Sequence, residues 1–277
     1  MKSIQTPVGR GSALVHAFTP QDAVECGLES GWSLKGLQKQ SDVPHNPMLV
    51  EAVLQKLESL DVSEAFAPHV AAASAQVVCA GALTTEICLS HRVRIRRDQH
   101  LPADGVSLWR GQVFVMSAAG CPIITATGGN LMVVAHAGRD SLIDRGAVMG
   151  KRSRRHMSIV DAVVEFFTTH GVRASDIAMV MQLAIPVFSF EHNPRDATYG
   201  DYNRFMIDLV DEKWAGGIIR EDGSAFLCLE KVFLEQARQC GVRDVRVENA
   251  LDEHPDLVQT CVDNAGQRNL IVVKREE

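Results

Sequence analysis

Apolar positions along the chain follow two periods. Short runs at 112–117 (QVFVMS), 122–127 (PIITAT) and 131–135 (LMVVA) are bounded by turn residues and predict strands. Residues 70–78, 86–95 and 269–274 read as further strands, the last carrying Leu-Ile-Val-Val. Helical spacing begins at Asn46-Pro47, where Asn caps, Pro fits the first turn, and Leu49, Val50, Val53, Leu54, Leu57 and Leu60 form one face. A second helix follows Ser158 with Ile159, Val160, Val163, Val164 and Phe167, and stops at Gly171. A third covers 229–240 and stops at Gly241. The first 45 residues are weakly patterned, with one short strand at 13–18.

The last two helices lead into similar text, HGVRASDIAMV and CGVRDVRV: helix, Gly-Val-Arg, Asp, strand. The alternative is that glycine simply ends both helices. Two such units suggest helices packed outside a sheet, and the pattern predicts an α+β fold. No low-complexity linker divides the chain, so 1–277 reads as one domain.

Composition narrows the classes. A formal charge of -6 argues against a dedicated nucleic-acid binder. No run approaches the ~20 apolar residues of a membrane span, and the N-terminus has no apolar signal core. Seven cysteines without framework spacing suit a reducing cytoplasm. Cys79, Cys88, Cys228 and Cys240 lie in apolar patterns and read as small buried hydrophobes.

Cys121 differs. If Gly128-Gly129 is a two-residue hairpin turn, Cys121 stands directly opposite His136 on one face of the hairpin. That arrangement suits two ligands of one zinc ion, a Cys-His dyad, or a packed pair at strand ends. A one-residue slip would put them on opposite faces. Upstream, His91 shares a strand face with Val93 and Ile95, as a core histidine or a third ligand.

These residues carry a resemblance. Leu89-Ser90-His91-Arg92, Ala119-Gly120-Cys121-Pro122 and His136-Ala137-Gly138-Arg139-Asp140-Ser141 resemble the Q-V-H-G, A-D-C-x-P and H-A-G-W-R-G segments of the YfiH-like or laccase-domain family. Pro102-Ala103-Asp104 matches its acidic step, and Ala184-Ile185 with Ser189-Phe190-Glu191 is similar to its A-I-x-x-x-x-Y-E region. The likeness runs from about Cys88 to the C-terminus; residues 1–45 match poorly. It implies two packed mixed β-sheets with helices outside. It also implies one zinc on His91, Cys121 and His136, and purine nucleoside chemistry: phosphorolysis or adenosine deamination. Phenol oxidation is the family's older label, but three visible ligands are too few for a cluster of several coppers.

The sequence also departs from the family. Trp-Arg after the second histidine is missing, unless Arg139 supplies the arginine one place early. Gln182-Leu183 replaces Gly-Pro, the late Cys-Thr is absent near 248–250, and paired arginines have become Cys261-Val262-Asp263. Arginine suits bidentate recognition of phosphate, so its loss weakens the case for phosphorolysis without touching the expected metal ligands. Three ligands would leave the fourth zinc position open for water or substrate. Asp104 and Glu191 are the carboxylates for proton transfer, and Arg139 the anion contact. The expected partner is a small molecule, a nucleoside with phosphate or water. Two rivals stand: a metal-free hydrolase with Cys121 as nucleophile and His136 as base, and a non-enzymatic binding protein using the basic run Lys151-Arg152-Ser153-Arg154-Arg155.

Overall fold

The computed structural model describes residues 3–8, 11–18, 57–70, 75–84, 86–89, 93–98, 100–118, 120–149, 158–248, 250–253 and 269–275. Fifteen strands and five α-helices are described. The strands are β1 (Ser3–Val8), β2 (Gly11–Phe18), β3 (Glu64–Phe66), β4 (Val77–Cys79), β5 (Glu86–Leu89), β6 (Arg94–Arg96), β7 (Gly105–Leu108), β8 (Val113–Ala118), β9 (Ile123–Gly128) and β10 (Leu131–His136). They continue with β11 (Ala178–Gln182), β12 (Ile218–Glu221), β13 (Ser224–Leu227), β14 (Asp244–Glu248) and β15 (Asn269–Arg275). The helices are α1 (Arg139–Leu142), α2 (Arg145–Val148), α3 (Ile159–Thr169), α4 (Gly200–Lys213) and α5 (Leu229–Gln239).

Two mixed sheets form an α+β fold, with strand orders β1-β2-β15-β8-β3-β6-β5 and β14-β11-β9-β10-β7-β4. Alternation along the second sheet decides what each face covers. Met132 and Val134 of β10 join Phe114 and Met116 of β8 and Ile271 and Val273 of β15 in a core between the sheets. Val133 and Ala135 face the other way and pack with α3 and α5 in a second core. The order is therefore sheet, sheet, helices, as the family resemblance implies.

Helix α3 illustrates the cause. Ile159, Val160, Val163 and Phe167 form its buried face, all fully inaccessible. Each such burial contributes about 1.5–3 kcal/mol. Ser158 and Asp161 close a capping box at its start, worth about 1 kcal/mol. The Gly-Val-Arg repeat is also architectural: β11 and β14 are parallel neighbours, with Ala178 opposite Asp244. Gly171 and Gly241 end the preceding helices at φ +80° and +85°, a left-handed conformation that glycine takes without steric cost.

Several elements differ from the sequence reading. The stretch 86–95 is two strands: β5 and β6 run antiparallel, with Leu89 opposite Arg94. Val93 and Ile95 are buried as expected, while Arg96 reaches Glu64 at 2.7 Å. Strand 70–78 shrinks to β4, and 71–74 lie outside the described residues. Because β4 is an edge strand, Cys79 is exposed rather than buried. The helix expected from residue 46 falls outside the described residues except for a turn at 57–59.

Candidate active site

One end of the six-stranded sheet gathers the chemistry. β10 ends at His136, β9 begins just after Cys121, β7 begins just after Asp104, and β11 ends at Gln182. The hairpin pairs Gly128 with Leu131 and Ile123 with His136. Its turn is therefore Gly129-Asn130, one residue later than predicted, with Gly129 at φ +56°. The cause is packing: a Cβ on Gly128 would meet Val172 at 2.9 Å and Phe167 at 3.2 Å, so this glycine is needed for close approach rather than for the turn. Cys121 is thus diagonal to His136, two residues beyond its direct partner. The shift of two keeps both on the inter-sheet face, where Cys121 packs half-buried against the core.

Asp104 lies opposite His136 across the β7–β10 pairing, and the His136 N–H donates to the Asp104 carbonyl at 2.8 Å. Its buried carboxylate lies 3.4 Å from His136 Nδ1. Ser141, carried back by α1, completes a triangle. Its Oγ is 2.9 Å from Nδ1 and donates to Asp104 Oδ1 at 3.1 Å. The other ring edge faces Cys121. A Cβ built on Gly138 would stand 2.8 Å from His136 Nε2 and 3.3 Å from Cys121 Sγ, so both atoms crowd one bare Cα. Burial alone would lower the His136 pKa. Hydrogen bonds and charge from Asp104 and Cys121 override it and raise the pKa from 6.5 to about 10.

A second group adjoins the first. Arg139 Nε donates to Asp140 Oδ1 at 3.0 Å. Its Nη1 lies 3.3 Å from His192 Nε2, and its guanidinium carbon lies 4.9 Å from the Tyr202 ring centroid. Tyr202 Oη donates to Asp140 Oδ1 at 2.9 Å. His192 is buried, and its Nδ1 lies 2.9 Å from the Phe190 carbonyl. Burial, then the Arg139 charge, lower its pKa to about 4. The ring is neutral: Nδ1–H donates to Phe190 and Nε2 accepts from Arg139. Burial would lower the Arg139 pKa; the charge of Asp140, then that of Tyr202 and least that of Cys121, raise it instead, so the two groups lie close enough to interact. Nearby Leu183 is buried at φ +59°, a costly backbone conformation of the kind that clusters at functional sites.

Of the predicted site residues, Cys121, His136 and Asp104 come together, and Arg139 stands beside them. Glu191 is exposed and accepts from Ser224 at 2.9 Å. His91 and the basic run 151–155 lie outside the described residues. Among the described residues no three His, Cys, Asp or Glu side chains form a group that could hold a metal ion. Two donors nevertheless suit zinc: a thiol, and an imidazole whose far nitrogen is turned to a carboxylate. Sequence reasoning missed Ser141, Asp140, Tyr202 and His192. The last two reach Arg139 and Asp140 from far along the chain, and neither spacing nor periodicity signals them. The remaining thiols differ in their surroundings: burial raises the pKa of Cys228, and that of Cys240 to about 12.

Two packed mixed sheets with outer helices define the fold class, and solved structures share it. The chain is similar to the hypothetical protein YfiH of Bacillus licheniformis (TM-score 0.61, 14% identity, 95% of this chain and 92% of that one). It is similar to protein NMB0706 of Neisseria meningitidis, a DUF152 protein (0.65, 13%, 100% of both chains). It is also similar to YlmD of Geobacillus stearothermophilus (0.62, 15%, 96% and 92%). No family model and no curated protein matches the sequence. No helix among the described residues is long and apolar enough to cross a membrane.

Proposed function

We propose that the chain is a zinc-dependent enzyme acting on purine nucleosides, by phosphorolysis or deamination, with its centre at Cys121 and His136. The observation that carries this reading is the pairing of the His136 ring with Asp104 on one edge and Cys121 on the other. Carboxylate–histidine pairs of this kind fix the tautomer and orientation of metal-binding rings. Cys121 and His136 would hold the ion, with His91 as the third ligand implied by the family resemblance. When bound, zinc supplies an electrophile and makes water acidic near neutral pH. The chain's own residues do the rest. Asp104 and Ser141 orient the ring, and Arg139 offers N–H donors to an anionic group. Asp104 is the nearest carboxylate for handling a proton, whereas Glu191 is engaged with Ser224.

A second reading has its own support. Cys121, His136 and Asp104 also follow the order nucleophile, base, orienting carboxylate, which a metal-free thiol hydrolase requires. One experiment separates the two. Metal analysis of untagged protein is paired with a nucleoside panel, with and without phosphate. One zinc per chain, lost in Cys121→Ala together with nucleoside turnover, is expected. Metal-free protein that is rapidly alkylated at Cys121 and turns over no nucleoside would transfer the assignment to the hydrolase.

A further inference from the structure

Arg139 is held from three sides. Asp140 takes Nε, His192 takes Nη1 and the Tyr202 ring lies under the guanidinium. Among the described residues Nη2 donates to none, and the side chain keeps 27% of its surface accessible. The identity of the third holder matters. A carboxylate in the place of His192 would orient the guanidinium equally well, but with Asp140 it would cancel the charge. A neutral imidazole orients without cancelling. Its own donor is spent on Phe190, so Nε2 can only accept.

We propose that His192 is a positioning residue that fixes Arg139 as the receptor for a phosphate group of the substrate, next to Cys121. It rests on the reading of Cys121 and His136 as the reaction centre. A planar, partly desolvated guanidinium with a free edge matches phosphate oxygens in geometry and charge. Arg139 and His192 stand 53 residues apart in sequence, and their arrangement offers the chain an anion receptor of its own.

The test is calorimetric titration with inorganic phosphate of the full chain and four variants, each checked by thermal melting. Wild type is expected to bind phosphate and Arg139→Gln to lose it. His192→Leu should weaken binding about tenfold, whereas His192→Gln, whose carboxamide oxygen replaces Nε2 as acceptor, should stay within about threefold. Should His192→Leu fail to fold, His192→Asn repeats the test, since its carboxamide stops short of Nη1. Wild-type affinity in folded His192→Leu or His192→Asn overturns the proposal, as does a wild type that binds no phosphate. Phosphate binding with this variant pattern but without nucleoside turnover would sink the proposed function and leave this inference standing. Turnover with unchanged phosphate affinity in the His192 variants would do the reverse.

Discussion

His136 is half-buried and His192 buried, and both rings contact the short segment between residues 136 and 141. His136 lies between a carboxylate and a thiol, and its pKa rises to about 10. His192 lies beside a guanidinium, with its other nitrogen tied to a carbonyl, and its pKa falls to about 4. Burial pushes both downward; the sign of the neighbouring charge decides the outcome. The difference separates two tasks: one ring can exchange a proton or a metal ion with the thiol beside it, while the other stays neutral and serves as a fixed acceptor.

The two rings should therefore bend the stability curve in different pH windows. Between pH 6.5 and 4 the unfolded chain protonates His192 and the folded chain does not, so stability falls as pH falls. The loss should total roughly 3 kcal/mol, from 1.36 kcal/mol per pKa unit. In zinc-free protein the slope from His136 above pH 6.5 is opposite: the folded chain keeps a proton that the unfolded chain has released, and this stabilisation is lost as pH rises toward 10. Urea denaturation from pH 4 to 7 is the measurement, with His192→Gln as reference. Parallel curves for the two proteins would break the contrast.

Asp104→Asn attacks the other side. It keeps the shape of the partner and removes the charge that holds the ring. Zinc affinity should fall 10- to 100-fold, measured by competition with a chelating dye, while phosphate binding at Arg139 should not change. Equal losses at both places would mean that the two groups are one network.

Local pattern made most of this legible. Strands β8, β9 and β10 and helices α3 and α5 follow from apolar spacing and glycine stops, whereas the repeated Gly-Val-Arg text did not by itself give the parallel pairing of β11 with β14. The convergence of Cys121 and His136 survived a misplaced turn only because the displacement was even. Two adjacent glycines offered two turns, and the choice was made by Phe167 and Val172, far along the chain. Helix α4 was missed although Tyr202, Asn203, Met206, Ile207 and Val210 mark a buried face, because Tyr199 gives no side-chain cap and glycine opens it. Ser141, Asp140, Tyr202 and His192 were beyond reach because their contacts with the site depend on how α1 and α4 and the loop after β11 pack together.

Gly138 offers the finest test, because it lies between the two neighbourhoods. An added Cβ would stand 2.7 Å from His136 Cε1 and 3.3 Å from Cys121 Sγ. The first separation is below what side chains tolerate, so Gly138→Ala must push the ring or the thiol aside. Overpacking of this kind costs about 1–3 kcal/mol, and the lower end is expected because Cys121 is only half-buried. Gly81 is the control: nothing lies within 4 Å of its built Cβ, and Gly81→Ala should stay within about 0.5 kcal/mol of wild type. Gly138→Ala should lose zinc affinity while its phosphate isotherm matches wild type, since the three atoms nearest the added Cβ belong to His136 and Cys121. If the phosphate isotherm weakens in step with zinc, the opposed roles of the two histidines collapse into one.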